Sequence, residues 1–191
     1  VAKPRLVFIP DDPALRPYQD RFANNVAFLE ERHVTPDGTR SFSTAKIFNE
    51  MLEDNDHRPV QVQVLRARLL DIILADFDRH FDQWRWSKDT RGKGVKYYPV
   101  PRDRDQALFY SDGFLLRILS GRALPFLKGL QDDIPKVNWL GYSARDFDRI
   151  FLTDQGRSDW KKEIAFVQQQ LTDSVIRKAV QNIPPEVFPF H

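Results

Sequence analysis

The stretch QVQVLRARLLDIILADFDRHFDQWRW, residues 61–86, decides the fold class of this chain. Its first half, Gln61 to Ala75, carries apolar side chains at Val62, Val64, Leu65, Leu69, Leu70, Ile72, Ile73 and Leu74. At helical spacing these surround the axis, which predicts a helix in the interior and the spine of the core. The second half is acidic and aromatic, with Asp76, Asp78 and Asp82 interleaved among Phe77, Phe81, Trp84 and Trp86. Continued as a helix, it would stack Asp78 and Asp82 as like charges at i and i+4. The expectation is therefore that the helix ends near Ala75 and a loop presents Asp78, His80 and Gln83. Trp84 and Trp86 are expected to pack into the core.

Downstream, the charged tip Lys88 to Lys93, with Gly92 and Gly94, predicts a hairpin loop leading into an extended segment from Lys96 to Val100. Pro99 and Pro101 place that strand at a sheet edge, or end it. A second acidic segment follows, Pro99 to Gln106. Asp103 and Asp105 are two apart, so in extended backbone they face one way while Arg102 and Arg104 face the other. Carboxylates converging on one spot suit Mg²⁺, Mn²⁺ or Ca²⁺, which take oxygen ligands. The alternative is a structural ion network in which Asp103 and Asp105 pair with Arg102, Arg104 or Arg79, while Asp78 and His80 bond backbone at the helix end.

Elsewhere the local signals are shorter. Arg5 to Ile9 reads as a strand closed by the turn Pro10 to Pro13, and Phe22 to His33 fits a helix or a strand equally. Ser43 or Thr44 should cap a helix reaching about Asp54, with Ile47, Phe48, Met51 and Leu52 on its buried side. Asp54 to Asp56 reads as a solvated turn, since a calcium loop would need a central Gly and a terminal Glu. Gly113 to Ser120 reads as a short apolar helix. Ser143, Ser158 and Thr172 sit where N-caps belong, the last two helices running to about Leu171 and Ile183 before Pro184 and Pro185. The fold class expected is mainly α (α+β), with a small β-hairpin carrying the acidic site. One domain or lobe spans residues 1–191, divided as a connecting region 1–60, the core helix with acidic loop and strand 61–112, and a helical bundle 113–191.

Composition narrows the function. Hydrophobic residues make up 41% of the chain, with fifteen Phe and four Trp, enough for a real core. The 29 basic and 27 acidic residues are interspersed, so no basic stripe marks a nucleic-acid partner. The absence of cysteine excludes disulfides, thiolate zinc sites and Cys nucleophiles. His33, His57 and His191 have no spacing that completes a zinc set with His80. No Gly-x-Ser-x-Gly motif marks a serine hydrolase, and no apolar run approaches the roughly 20 residues that span a bilayer. Val1 at the start and Met51 as the only methionine suggest a piece of a longer protein.

On these residues a resemblance rests. An apolar helix, then Asp78-Arg79-His80-x-x-Gln83, then a strand, then Asp103-x-Asp105, is similar to the catalytic-loop and metal-loop arrangement of atypical kinases of the CotH, secreted Fam-twenty, lipid-kinase and HipA types. Those families carry Asn where this chain has Gln83. Pro4 to Pro13 and Leu65 to Asp112 also look like an uncharacterised module of large bacterial outer-membrane-associated proteins that carry a calcineurin-like metallophosphoesterase domain and a barrel-type surface-antigen domain. That likeness extends more thinly through Ala123 to Leu127, Leu171 to Asp173 and Pro184 to Glu186.

The resemblance implies a helical kinase C-terminal lobe with any nucleotide-covering lobe upstream, because no Gly-rich phosphate loop or strand Lys paired with a helix Glu is present. It implies Asp78 as catalytic base, Arg79 and His80 as orienting groups, and Gln83, Asp103 and Asp105 as ligands of Mg²⁺ or Mn²⁺ bridging the phosphates of ATP. The partners it implies are neighbouring domains of an envelope or periplasmic protein. Two other functions remain expectations beside this one: a non-catalytic interaction module whose Asp/Arg cluster is structural, and a metal-dependent phosphoester hydrolase using Asp78, Asp103 and Asp105.

Overall fold

The computed structural model describes residues 5–29, 40–109, 113, 114, 118–120, 124, 130 and 137–181. In chain order the elements are β1 (Arg5–Ile9), α1 (Gln19–Phe22), β2 (Asn25–Leu29), β3 (Phe42–Ser43), α2 (Thr44–Glu53), β4 (His57–Pro59) and α3 (Gln61–Ile73). They continue with β5 (Trp84–Asp89), β6 (Val95–Pro101), α4 (Val137–Leu140), α5 (Arg145–Phe151), α6 (Arg157–Gln170) and α7 (Asp173–Val180). The class is α+β and mainly helical, as expected. The described residues fall into two compact units, one holding residues 5–29 with those from Thr172 onward, the other running from Arg40 to Leu171.

In the smaller unit β1 and β2 form an antiparallel hairpin in which Leu6 lies opposite Phe28 and Phe8 opposite Val26. The strand expected at Arg5 to Ile9 is present. The ambiguous stretch after Phe22 resolves locally: Phe22 closes α1, Asn24 takes φ +59 and donates its N–H to the Ile9 carbonyl, and Asn25–Leu29 is a strand. Asn tolerates the left-handed region better than most residues, which is why the chain reverses there. Residues 30–33 lie outside the described residues. Thr172 caps α7, as expected, its hydroxyl accepting from the Val175 N–H.

The larger unit is built on a four-stranded sheet ordered β3-β5-β6-β4. The β5–β6 hairpin is antiparallel and pairs Trp84 with Pro101 and Trp86 with Pro99. β4 joins β6 in parallel, but only along Val95 to Tyr97. The expectation from the prolines holds in its second form: β6 is internal over Val95 to Tyr97, but Pro99 and Pro101 lie beyond the end of β4, paired with β5 alone, and the strand ends at Pro101. Gly94 is required, since it takes φ +73 and a Cβ there would meet the Asp56 carbonyl oxygen at 2.5 Å.

α2 starts as expected, with the Ser43 hydroxyl accepting from the Lys46 N–H. Ile47 is fully buried, whereas Leu52, expected inside, is exposed. α3 is also corrected. It ends at Ile73, two residues early, and it does not lie wholly inside: Val62 and Ile73 are exposed, and its buried face holds Val64, Leu65 and Leu69 together with Arg68 and Asp71. The apolar count hid a charged stripe. Ala75, in the left-handed region at φ +52, turns the chain out of the helix.

The core joins α2, α3, the sheet and α5 through aromatic rings. Trp84 stacks on Phe147 with centroids 4.5 Å apart, Trp86 lies 4.7 Å from Phe151, and Phe81 meets Phe147 edge-on. Thr44 serves this cluster by accepting from Trp86 Nε1–H at 3.1 Å and donating to the Phe81 carbonyl. α6 packs along α3 through Arg66, whose Nε lies 2.5 Å from the buried Glu163 carboxylate while its guanidinium covers Phe166. Two expected caps are displaced. Ser143 donates to the Phe77 carbonyl and accepts from the Arg79 N–H, so Ala144 heads α5; Ser158 lies inside α6, which Gly156 heads with its N–H bonded to Asp159. The helix expected at Gly113 to Ser120 falls largely outside the described residues.

Candidate functional site

The site begins with charges on α3 that the fold cannot leave unpaired. Arg68 and Asp71 are fully buried and one turn apart, with Nη1 to Oδ2 at 2.9 Å. Arg68 also grips Asp148 of α5 through Nε and Nη2, at 2.8 and 3.2 Å. Burial opposes the charge on Arg68, but Asp148 and Asp71 outweigh it and hold the guanidinium protonated. Burial in turn pushes the Asp148 carboxyl up against the pull of Arg68; the two-bond geometry decides in favour of an ion pair.

Asp71 carries two further guanidiniums, Arg104 at 2.5 Å and Arg79 at 3.3 Å. Arg79 has no exposed surface. It donates through Nη1 to the carbonyls of Arg102 and Asp103, at 2.5 and 3.1 Å, and through Nη2 to that of Gln83 at 3.4 Å, with its charge over the Trp84 ring. The side chain placed among the catalytic groups is thus out of reach of any ligand and is a positioning residue. It fastens the turn after β6 to the loop after α3. Burial pulls its pKa down, and Asp71 and Asp76 oppose that.

Asp76 is the anomaly of this network. Its side chain is 1% exposed, neither oxygen makes a hydrogen bond of ordinary geometry, the Asp78 backbone giving only a weak approach, and Arg79 Nε stands 3.7 Å away. Burial pushes its carboxyl up to about 6, with Arg79 pulling the other way and Asp71 adding to the rise.

The expected site residues sit above this layer. Asp78 is partly exposed, with Oδ1 3.8 Å from His80 Nε2, and that same His80 nitrogen is 3.4 Å from Gln83 Nε2. His80 is the N-cap of a short 3-10 turn over Phe81–Gln83, its Nδ1 accepting from the Asp82 N–H. Gln83 is buried, yet its Oε1 accepts no hydrogen bond among the described residues. The Gln83 carbonyl receives the Arg102 N–H at 2.9 Å. Asp78, His80 and Gln83 are therefore assembled, and the backbone of Asp103 is bound to them through Arg79.

Asp103 departs from the extended backbone expected for it. The strand ends at Pro101, Asp103 takes φ +51, and Asp105 follows in a turn, so the two carboxylates do not face one way by strand alternation. Both are exposed, and neither makes a hydrogen bond or ion pair among the described residues. The structural ion network exists, but with other acids: Asp71, Asp76 and Asp148 take Arg68, Arg79 and Arg104, leaving Asp78, Asp103 and Asp105 without an arginine. The signal for it was legible in Arg68-x-x-Asp71, an i,i+3 charge pair inside an apolar helix. Among the described residues no three His, Cys, Asp or Glu side chains are grouped as a ready-made cation cage.

Comparison of the chain with family models, with curated proteins and with solved structures gives no match.

Proposed function

We propose that the larger unit is a kinase-like lobe derived from an atypical phosphotransferase, with Asp78 as the base or orienter of an acceptor hydroxyl and Gln83, Asp103 and Asp105 facing a divalent cation. The observation that supports this reading is the division of labour among the acids: the guanidiniums of Arg68, Arg79 and Arg104 are committed to Asp71, Asp76 and Asp148, while Asp78, Asp103 and the Gln83 Oε1 make no ion pair with an arginine and lie on segments that Arg79 ties together. Hard oxygen donors of this kind suit Mg²⁺ or Mn²⁺, which would neutralise phosphate charge during transfer. His80 would orient Asp78 across their 3.8 Å contact. ATP is the phosphate donor the reading implies, with a nucleotide-covering lobe supplied from outside residues 1–191.

The test is Mn²⁺ titration followed by NMR. Broadening should concentrate on residues 78–83 and 102–105, and Asp103→Asn should abolish it with the melting temperature moved by no more than about 2 °C. Absence of localised broadening, or loss of the fold in Asp103→Asn, would overturn the reading.

A second reading, the interaction module of a bacterial envelope protein, is favoured by the smaller unit. A two-stranded hairpin is marginal alone, and here Phe8, Val26 and Phe28 are each more than 60% exposed on one face. Phe8→Ser with Phe28→Ser should then abolish association with a neighbouring domain in the longer protein; unchanged association would remove this reading.

A further inference from the structure

A recess of about 290 Å³ lies in the larger unit, lined among others by Asn55, His57, Arg58, Gln61 and Asp154 over apolar Met51 and Ile150. It uses none of the residues of the site above. One wall is a relay of hydrogen bonds running inward from His57. Tyr97, fully buried at the centre of β6, donates its hydroxyl to the Glu50 carboxylate, and its oxygen lies 3.0 Å from His57 Nδ1. Glu50 is anchored by Lys88 at 3.2 Å and Lys46 at 3.7 Å. The Tyr97 bond holds Glu50 below the usual carboxylate range, while burial and Glu50 push the Tyr97 hydroxyl up, so each keeps its protonation state across neutral pH.

The consequence for His57 follows from donor counting. The single proton of Tyr97 goes to Glu50, so Nδ1 of His57 must donate to the Tyr97 oxygen. The ring is further fixed edge-on against Tyr97. Its Nε2 has no partner among the described residues, and the side chain is one-fifth exposed at the recess. Beside it, Arg58 donates Nε to the Asn55 carbonyl at 3.0 Å, which leaves both terminal nitrogens of its fork unused. Asp154, the one acid in the lining, is already engaged by Gln61, which donates to its carboxylate and accepts from its N–H.

We propose that this recess binds a small oxyanion, the carboxylate or phosphate group of a compact ligand, between the Arg58 fork and the imidazolium of His57. The Arg58 guanidinium supplies two parallel donors to such a group. Nε2 of His57, the ring nitrogen that the Tyr97 bond leaves over, supplies a third donor when it carries a proton. The charged and titratable groups around His57 are Glu50 and Tyr97, with Lys88 and Lys46 on Glu50 and the Asp54 carboxylate acting on Tyr97, and Arg58 and Asp154 in the same lining. The volume suits a headgroup with a few attached carbons.

The full chain holds four histidines, so the ring proton signals of His57 can be followed singly. Sulfate is the probe. Sulfate at a single pH of 5.5 should shift the His57 signals saturably. His57→Gln should weaken sulfate binding about tenfold, the value of one charge-assisted bond, and Arg58→Met, on an exposed side chain, should abolish it in a folded protein. Acetate and methyl phosphate as competitors identify the preferred headgroup, and displacement by neither overturns the assignment. A His57 signal unmoved by tens of millimolar sulfate, or full binding in Arg58→Met, also overturns it. Asp103→Asn should leave sulfate binding unchanged, which keeps this result separate from the cation test above.

Discussion

Two sets of aspartates in the larger unit have the same chemistry and opposite fates. Asp71, Asp76 and Asp148 lie beneath the loop after α3, in contact with Arg68, Arg79 and Arg104, whereas Asp78, Asp103 and Asp105 lie above it with no arginine at all. Asp76 and Asp78 are two residues apart and fall on opposite sides of this divide. The comparison teaches that the arginines, rich as this segment is in them, serve the architecture. They fix the shape of the loop and the turn after β6, and by doing so leave the upper acids available. A carboxylate cluster neutralised by its own arginines would have no capacity for a cation.

The sharpest way to break this contrast is at its centre. Asp71→Asn removes the counter-charge shared by three guanidiniums in a buried setting, and should lower the unfolding free energy by about 3–5 kcal/mol. Denaturant unfolding measures it; a loss under about 1 kcal/mol would mean that the lower layer is not structural.

Asp76→Asn probes the same layer through pH. The folded-state carboxyl at about 6, against the ordinary 3.8, means that the native protein holds this proton more tightly than the unfolded chain. The stabilisation is therefore fully present below pH 4 and is lost as pH rises through 6, by an amount on the order of 3 kcal/mol. Wild type compared with Asp76→Asn in chemical unfolding at a series of pH values should show this difference closing steadily from pH 4 to 7. A difference constant with pH would show that Asp76 titrates normally.

The smallest effect belongs to the upper layer. Asp105→Asn removes an exposed, unpaired charge, and its stability should stay within about 0.5 kcal/mol of wild type. A larger loss would place Asp105 among the structural acids and blur the division.

Much of this was legible in the residues. The Arg5–Ile9 strand, the Ser43 and Thr172 caps, the hairpin turn before the strand at Lys96 to Val100 and the burial of both tryptophans follow from local patterns that tertiary packing did not need to override. The end of the core helix was legible to within two residues, from the like charges that a longer helix would stack. What was not legible depended on partners distant in the chain. Arg68 meets Asp148 eighty residues away, and Ser143 is diverted from its expected cap by Phe77 and Arg79. Asp103 looked extended because strand alternation was applied past Pro101; its φ is positive, and Arg79 holds its carbonyl from a distant part of the chain. The Glu50, Tyr97 and His57 relay draws on three separate elements and has no linear signature.

α5 presents Phe147 and Phe151 to the stacked tryptophans and, between them, Asp148 to Arg68. One turn of helix thus carries an oily contact and an ionic one side by side, so that moving α5 away from the sheet opens both. Indole emission should accordingly report the breaking of the Arg68 lock as well as the opening of the ring cluster, with both lost at one midpoint.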